Sequence, residues 1–385
     1  MPDASGVAVE LISDFAAFAA LREDWNALAQ AAAARGSVFL CHEWFDAAWQ
    51  WQPRGTRLHL LCLFVDRRLR AVLPLVSRRI RARGVAIREL AFLTVPDTQT
   101  CDLIVAESDR TAASAAFAAE LRQRQRDWDV IRFKYLAPGS VAASALRAKL
   151  NGFVTRSIEA PGNPFIPLDA DWTTYYATRS RRLKKSANLA DNRLERAGRI
   201  SIDWLQPDAA GAGVDSFVER AIAISGRSWK KRTGNSLDNA GPGAFIRRLS
   251  ALAAQRGWLS IWILGIDDRP VAMEYQLVAD GDVHGLRSDF DAGFETVSPG
   301  SCLNRHLIER LFGRGWRRYY LGPGDNAYKH RWADRVDPRE ALTVYGRTLV
   351  GRALAGWEIT LKPLTVRLRD RLRKRESAPE DDAEP

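Results

Sequence analysis

The sequence has few cysteines and no long apolar run. Its 385 residues include four cysteines, none of them in a C-x-x-C pair: Cys41, Cys62, Cys101 and Cys302. This spacing excludes a small disulfide-stapled fold and gives no zinc or redox motif, so we expect buried, reduced thiols. No window of about 18 apolar residues predicts a membrane span. The first residues also lack a basic region followed by an apolar one, so we expect a cytoplasmic protein.

The composition is that of a folded chain. Hydrophobic residues make up 46% of the sequence, and 13 Trp, 15 Phe and 8 Tyr supply large side chains for a core. This content excludes disorder of the whole chain, and the length predicts two domains. The 57 Lys and Arg exceed the 46 Asp and Glu, which leaves a net charge of +11. Such a charge is typical of proteins that bind nucleic acid, an anionic membrane or an acidic cofactor.

Two segments concentrate the positive charge. Residues 179–199 carry eight Arg and Lys against Asp191 and Glu195, and residues 361–375 are followed by an acidic tail at 376–385. The first segment binds an anion or is a solvated helix face. In the second, Leu364, Leu368 and Leu372 form a thin apolar stripe on a predicted basic helix, 349–375, which suggests peripheral contact with the inner face of a membrane. The tail lacks apolar residues and is predicted to be disordered.

Hydrophobic periodicity predicts the same order of elements twice. Helical spacing from Leu11 to Leu28 precedes an apolar hairpin with a turn at 66–68, further strands, a helix at 111–126 and a strand from Asp129. In the second half, helices at 172–197, 214–228 and 242–256 precede a hairpin with a turn at 267–270, a strand, a helix and another strand. The Pro/Gly-rich residues 159–168 are predicted to be the linker. The repeated order suggests tandem α+β units.

The most informative segment is residues 285–332. Ser298-Pro299-Gly300-Ser301 stands between a predicted strand and a helix with an apolar face at Leu303 and Leu307. Serine and proline suit the start of a helix, and glycine lets a ligand approach the backbone. Because a helix N-terminus carries free N–H groups and positive partial charge, this segment can bind phosphate. An ordinary helix start without a ligand is the alternative.

The surrounding residues resemble a known group. Phe290 with Ser298-Pro299-Gly300, then Leu321-Gly322-Pro323-Gly324-Asp325 and Tyr328-Lys329, resemble the GNAT-type acyltransferases of the cellulose-biosynthesis (CelD/BcsL-like) acetyltransferase group. The resemblance covers about residues 175–335. It implies an α+β fold with tandem GNAT-like domains, mixed sheets flanked by helices. The domains implied are 1–158 and 165–348, the second being the acyltransferase domain.

The resemblance also implies acetyl-CoA or another acyl-CoA as co-substrate, and no metal. Pantetheine is expected along the central strand and phosphates at the following helix N-terminus. The implied cofactor-binding residues are Ser288, Asp289, Phe290, Val297, Ser298, Gly300, Ser301, Cys302 and Leu303. The chain departs from the common GNAT pattern, because the SPGSC segment stands where the glycine-rich R/Q-x-x-G-x-G/A loop is expected.

Acyl transfer needs a base for the nucleophile and an acid or hydrogen-bond donor for the developing negative charge. The catalytic candidates are Asp325, Tyr328, Lys329 and Glu274. Asp325 follows a strand and is either catalytic or a turn residue. Burial of Glu274, which stands mid-strand, would raise its pKa toward a useful range. Tyr328 is a candidate acid and Lys329 a candidate anion binder, whereas ring packing and a surface lysine are the alternatives.

Three functions of different classes follow. The first is an acyl-CoA-dependent N- or O-acyltransferase acting on a sugar, a polysaccharide precursor or a cell-envelope metabolite. The second is a Fem-like peptidyltransferase, which takes aminoacyl-tRNA as donor; the long helical arm typical of that group has no counterpart, since the pattern at 172–197 is short. The third is a non-catalytic GNAT-fold binding protein. A small-molecule or glycan acceptor is the expected partner, with nucleic acid expected only as tRNA in the second case.

Overall fold

The computed structural model describes residues 6–32, 37–82, 84–207, 213–333 and 335–363. Over these residues, no helix has both the length and the apolar character needed to cross a membrane. The predicted stripe of the basic C-terminal helix and the acidic tail lie outside the described residues. The strands are β1 (Val7–Ile12), β2 (Arg57–Val65), β3 (Arg68–Ala82), β4 (Val85–Phe92), β5 (Ile104–Val105), β6 (Val130–Leu136), β7 (Val154–Pro167), β8 (Ile200–Leu205), β9 (Leu259–Ile266), β10 (Arg269–Ala279), β11 (Asp282–Phe290), β12 (Arg318–Tyr320) and β13 (Arg335–Tyr345).

Helices pack on both faces of the sheet. They are α1 (Phe15–Ala20), α2 (Arg22–Ala31), α3 (His42–Trp49), α4 (Arg110–Gln123), α5 (Arg147–Lys149), α6 (Trp172–Ala177), α7 (Arg181–Ala197), α8 (Val214–Gly226), α9 (Ala240–Gln255), α10 (Pro299–Leu311), α11 (Ala327–Trp332) and α12 (Leu349–Ala355). Short 3-10 and π-helical turns, among them 229–233 and 292–297, connect some of these elements.

Across the described residues, thirteen strands form one continuous sheet. Its order is β1-β2-β3-β4-β6-β13-β7-β12-β11-β10-β9-β8, with β5 paired to β3. Neighbouring strands are antiparallel except for two parallel pairs, β4 with β6 and β11 with β12. Each half of the sheet has four antiparallel strands followed by a parallel one: β1 to β4 and then β6 in the first half, β8 to β11 and then β12 in the second. The two halves therefore repeat one topology. This confirms the predicted α+β fold with tandem GNAT-like units.

The two halves exchange their last strands. β7, from the first half of the chain, pairs with β12 and β13, while β13, from the second half, pairs with β6 and β7. The predicted linker at 159–168 is therefore wrong, because residues 159–167 lie within β7. Pro161 and Gly162 fall where the register shifts against Asp337 and Arg339, so they interrupt the pairing without ending the strand. The division into domains 1–158 and 165–348 stays a prediction.

The predicted hairpin turns are confirmed. Asp66 and Arg67 have φ of 47° and 63°, and Asp267 and Asp268 have φ of 46° and 66°. Two consecutive residues in the left-handed region form the tight turn that matches the twist of antiparallel strands, and aspartate tolerates this conformation better than most residues. These turns fix the register of β2 with β3 and of β9 with β10.

Other predicted boundaries need correction. Leu11 lies on β1 and not in the predicted first helix, which begins at Phe15. The single helix predicted at 172–197 is two helices, because Ser180 caps α7 by accepting a hydrogen bond from the Leu183 N–H at 3.2 Å. The hydrophobic pattern does not predict β8, β13 or α11.

Alternating side chains of the second half enter two separate cores. On β10, Met273 and Tyr275 pack toward α8 and α9, whereas Ala272 packs toward α7 and α10. Helix α7 buries Leu183, Ala187, Ala190 and Leu194 at steps of three and four residues and turns its charged residues outward. The second core thus holds α7 and α10 side by side on one face of the sheet, where they border the cleft described next.

Candidate active site

A cleft opens where the parallel strands β11 and β12 diverge. The two strands pair only from Asp282 to His284, after which β11 continues to Phe290 and the chain beyond β12 turns away. A bulge assists this divergence: Arg287 lies opposite Tyr275 and Gly285 opposite Gln276, which leaves an extra residue in β11. The result is a groove along one edge of a central strand.

The cleft has a volume of about 670 Å³ and is walled by α7, the end of β11, the start of α10 and α11. Several of the predicted site residues meet here: Ser288, Phe290, Ser298, Gly300, Ser301, Asp325 and Tyr328 line it. The lining also includes Trp229, Lys230 and Arg331, which the sequence did not single out as site residues. The cleft has the size of a small-molecule or cofactor site.

The N-terminus of α10 forms one end of the cleft. Ser298 has a left-handed backbone, with φ of 57°, and Pro299 begins the helix. The Ser301 N–H donates to the Ser298 carbonyl at 3.1 Å. A Cβ at Gly300 would come 3.3 Å from the Phe290 ring, so glycine keeps this approach open. Because the helix has 13 residues and Ser301 is exposed, its dipole and the Gly300 N–H favour an anion here.

Three predicted cofactor-binding residues lie behind the cleft wall instead. Cys302 and Leu303 are buried in the second core, and Val297 packs against that core. Burial raises the pKa of the Cys302 thiol, and the neighbouring Asp191 carboxylate raises it further. Asp191, Cys302 and His306 form a compact cluster. Asp191 accepts a hydrogen bond from Arg305, so the cluster joins α7 to α10.

Glu274 is a buried carboxylate behind the cleft, outside the residues that line it. It is 4% exposed, and its Oε1 accepts a hydrogen bond from the Tyr319 hydroxyl at 2.8 Å. Its Oε2 has no hydrogen-bond partner among the described residues. Burial raises the pKa of Glu274 to about 7, although the Tyr319 hydrogen bond and the neighbouring Ser288 hydroxyl act in the opposite direction. A buried carboxyl with a pKa near neutrality and a free oxygen can accept a proton at physiological pH.

Gly285 makes room for this carboxylate. A Cβ at Gly285 would come 2.8 Å from Glu274 Oε1 and 3.2 Å from the Tyr319 hydroxyl. A larger residue at this position would press on the Glu274 carboxylate and the Tyr319 hydroxyl. The sequence placed Gly285 in the informative segment, but its contact with Glu274 depends on strand register.

Tyr328 lies on α11 and lines the same cleft. Burial raises the pKa of its phenol, and the negative charges of Glu274 and Asp289 raise it further. The hydroxyl therefore stays protonated at neutral pH and is available as a hydrogen-bond or proton donor. Glu274 and Tyr328 thus supply an acceptor and a donor of protons near one cleft.

Asp289 has a structural role. It is 2% exposed, accepts a hydrogen bond from the Ser225 hydroxyl at 2.6 Å and forms an ion pair with Lys230. Lys230 also donates to the Ser288 carbonyl at 3.3 Å. Asp289 therefore does not line the cleft as predicted, and instead holds Lys230, which does.

Asp325 lines the cleft at its rim, whereas Lys329 does not line it. The Asp325 side chain is 89% exposed at the rim, where it contacts His330 Nε2 at 2.6 Å. The Lys329 ammonium is buried and donates to the carbonyls of Gly322 and Pro323 at 2.7 and 3.0 Å. Burial lowers the pKa of Lys329 to about 8. Lys329 therefore holds the loop after β12 in place and does not line the cleft.

The basic segment borders the cleft on one side. Arg181, Arg182 and Lys185 are exposed on α7, while Leu183 and Ser186 of the same helix line the cleft. A ligand that extends out of the cleft along α7 would meet this positive face.

The divergent parallel strands, the flanking helices and the helix N-terminus at their mouth are the features of a GNAT fold. Residues 181–330 match the family model described as Acetyltransferase (GNAT) domain. The chain therefore contains a GNAT-type acetyltransferase domain, and the match includes most residues of the cleft lining. No curated protein sequence matches the chain.

Solved structures similar to this chain share the fold at low identity. The C-terminal domain of a proposed lysylphosphatidylglycerol synthetase from Agrobacterium fabrum has a TM-score of 0.55 at 12% identity, covering 88% of this chain and 95% of that chain. The FemX structure has a TM-score of 0.54 at 11% identity, covering 91% and 99%. A conserved protein of unknown function from Bacteroides thetaiotaomicron has a TM-score of 0.51 at 10% identity, covering 88% and 100%. The likeness extends over both halves of the sheet.

Proposed function

We propose that the protein is an acyl-CoA-dependent N- or O-acyltransferase whose acceptor is a sugar, a polysaccharide precursor or another cell-envelope metabolite. The observation that carries this proposal is the cleft, in which an anion-binding helix N-terminus faces Ser288; the residue paired with Ser288 is Glu274, a buried carboxylate behind the cleft lining with a pKa near 7. Membership of the cellulose-biosynthesis acetyltransferase group remains a prediction from the residues that resemble it, as does membrane contact through the C-terminal basic segment.

The donor fits the cleft by the chemistry of its walls. The N-terminus of α10 offers the Gly300 N–H and its positive partial charge to a pyrophosphate, and Lys230, which pairs with Asp289, lies beside Ser288. The edge of β11 beyond His284 is free of its parallel neighbour, so its backbone can pair with the amides of a pantetheine arm. The acyl group would then lie toward Glu274 and Tyr328.

The residues define a balanced transfer. The Glu274 carboxylate accepts the proton of the acceptor amine or hydroxyl as the nitrogen or oxygen bonds to the acyl carbon. The carbon–sulfur bond then breaks, and the Tyr328 hydroxyl gives its proton to the departing sulfur. The products are the acylated acceptor and the free thiol. Proton return from Glu274 to Tyr328, through solvent, restores both groups.

Calorimetric titration with acetyl-CoA and CoA tests the donor site. We expect micromolar binding to the wild-type chain, and loss of at least tenfold in affinity for Ser301→Glu, because a carboxylate would stand where phosphate binds. Glutamate in the first turn suits a helix, so folding is preserved. Ser301→Gln is the matched neutral control and should bind nearly as the wild type. No binding of either ligand to the wild type would exclude this donor.

A second candidate is aminoacyl transfer from tRNA. It is supported by the exposed cations of α7 beside the cleft and by a fold shared with FemX and with the lysylphosphatidylglycerol synthetase domain over about nine-tenths of the chain. RNA binding of this type weakens steeply with salt. Binding of tRNA that depends on Arg181, Arg182 and Lys185, together with no binding of acetyl-CoA, would favour this candidate. Binding of RNA or membrane without transfer to any acceptor would favour the non-catalytic binding protein.

A further inference from the structure

A second cavity lies on the opposite face of β11, between the two halves of the sheet. Its volume is about 310 Å³. Val283 packs toward α10, whereas its neighbour His284 points the other way and meets the Phe39 ring edge to face at 5.1 Å. His284, Phe39, Gln99, Asn163, Tyr320 and Arg339 line this cavity, so both halves contribute to it. Exposed Pro138 and Gly139 border its mouth.

One residue separates this cavity from the catalytic carboxylate. The Gly285 carbonyl accepts a hydrogen bond from Gln99 Nε2 at 2.8 Å, on the cavity side. A Cβ on the same glycine would lie 2.8 Å from Glu274 Oε1. A molecule in the cavity is therefore next to the point where the acyl group is expected, but on the other side of the strand from the α10 cleft.

The hydrogen bonds of Gln99 fix the polarity of the cavity wall. Because its amide nitrogen donates to Gly285, its Oε1 is the atom that accepts from Asn163 Nδ2 at 3.0 Å and from His284 Nδ1 at 3.1 Å. His284 thus carries its proton on Nδ1, which leaves Nε2 as an acceptor. Burial, together with the Arg339 charge, lowers the pKa of His284 to about 3, so the ring is neutral.

Two further groups in the wall are only partly satisfied. Asn163 is 1% exposed, and its Oδ1 has no hydrogen-bond partner among the described residues. Arg339 is 9% exposed and donates to the carbonyls of Gln99 and Pro338, both at 2.9 Å. In the described part of the chain, no carboxylate forms an ion pair with this guanidinium. Asp337, which also lines the cavity, favours the charged guanidinium without forming an ion pair with it, so an anionic ligand can still supply a close counter-charge.

We propose, building on the acyltransferase function above, that this cavity holds the acceptor. The acceptor is a small molecule with a phosphate or carboxylate for Arg339 and with hydroxyl or amino groups that donate to Asn163 Oδ1 and His284 Nε2. A phosphorylated amino sugar has this chemistry and suits a cavity of this size. Its nucleophilic group would reach Glu274 past Gly285, which has no side chain of its own, and beside the Tyr319 hydroxyl.

Calorimetric titration of the full chain with glucosamine 6-phosphate tests this assignment. Two comparison probes each lack one group: glucosamine lacks the phosphate, and glucose 6-phosphate lacks the amine. We expect the wild type to bind glucosamine 6-phosphate and to bind glucosamine at least tenfold more weakly. The Arg339→Gln variant should bind glucosamine 6-phosphate at least tenfold more weakly than the wild type does. Arg347→Gln is the matched control, because Arg347 bonds the Gly152 carbonyl outside the cavity. It should bind the probe like the wild type.

A second readout does not depend on a variant. Nitrogen NMR of the five histidines should show His284 protonated on Nδ1, and its Nε2 resonance should shift when the probe binds. Absence of probe binding at millimolar concentration, equal affinity of Arg339→Gln and wild type, or an unmoved Nε2 resonance would each overturn the acceptor assignment. If acetyl-CoA binds while the probe does not, the donor site stands and the cavity assignment fails. If only the probe binds, the cavity stands and the proposed donor fails.

Discussion

Replacing Glu274 with glutamine should separate activity from stability. The change keeps the shape of the side chain and an oxygen to accept the Tyr319 hydrogen bond, 2.8 Å in the native protein. It removes the only function that a glutamine cannot perform, which is to take a proton. Loss of a general base typically lowers the rate 10²- to 10⁴-fold. This corresponds to a barrier higher by about 3–5 kcal/mol.

The same change should stabilise the fold at alkaline pH. The pKa of Glu274 is raised from 4.5 to about 7 in the folded chain. Because Glu274 ionises less readily in the folded chain than in the unfolded chain, its ionisation favours unfolding. The wild-type free energy of unfolding is therefore highest below pH 4.5 and falls as the pH rises through about 7. The loss amounts to about 3 kcal/mol. The glutamine side chain of Glu274→Gln cannot ionise, so the variant should exceed the wild type by up to that amount at pH 8 and match it at pH 4.

Urea unfolding at pH 4, 6 and 8, paired with acyl-transfer rates over the same range, measures both effects. The wild-type rate should rise with pH and level off above about pH 7, since the active form of Glu274 is the carboxylate. Glu23→Gln is the matched control, because Glu23 is exposed on α2. A Glu274→Gln variant with the wild-type rate, or with a stability difference that does not grow with pH, would refute the role of this residue.

Three further predictions test other parts of the molecule. Tyr328→Phe should lower kcat tenfold or more with unchanged acetyl-CoA affinity by calorimetry; unchanged kcat would remove it as the acid. Asp97→Asn, which breaks the buried pair with Arg287 (7% and 1% exposed), should cost about 3–5 kcal/mol in urea unfolding. Asp268→Asn, in an exposed pair, should cost less than about 1 kcal/mol, and equal effects would contradict the burial argument. Residues 165–348 expressed alone should lack a cooperative unfolding transition, because most of β7 is missing. If this fragment were as stable as the full chain, the two domains would be independent.

The sequence predicted correctly those elements that depend on residues close together in the chain. The Asp-rich turns at 66–68 and 267–270, the alternating strands beside them and the Ser-Pro start of α10 depend on residues close in sequence, and the structure confirms them. The prediction of a linker at 159–168 was wrong because the structure of this segment depends on residues distant in sequence. Its Pro and Gly residues are typical of loops, but pairing with β13, more than 160 residues later, makes it a strand.

The site required long-range register. Glu274 was identified as a candidate, but its depth and its bond to Tyr319 depend on which strands lie beside β10 and β11. Lys329 resembled an anion binder because charged residues are usually exposed, whereas its ammonium bonds the Gly322 carbonyl. Asp325 followed a strand as functional carboxylates often do, yet it lies exposed at the rim. The spacing of residues along the chain does not predict which of these side chains are buried or what they contact.

Amide hydrogen exchange with and without acetyl-CoA tests the central claim most directly. If the donor lies in the cleft, peptides covering 286–290 and 298–303 should exchange more slowly when acetyl-CoA is bound, and α12, which is remote from the cleft lining, should not change. Protection of both segments, lost in Ser301→Glu and kept in Ser301→Gln, is the predicted result. Unchanged exchange at saturating acetyl-CoA, or protection elsewhere only, would contradict the account.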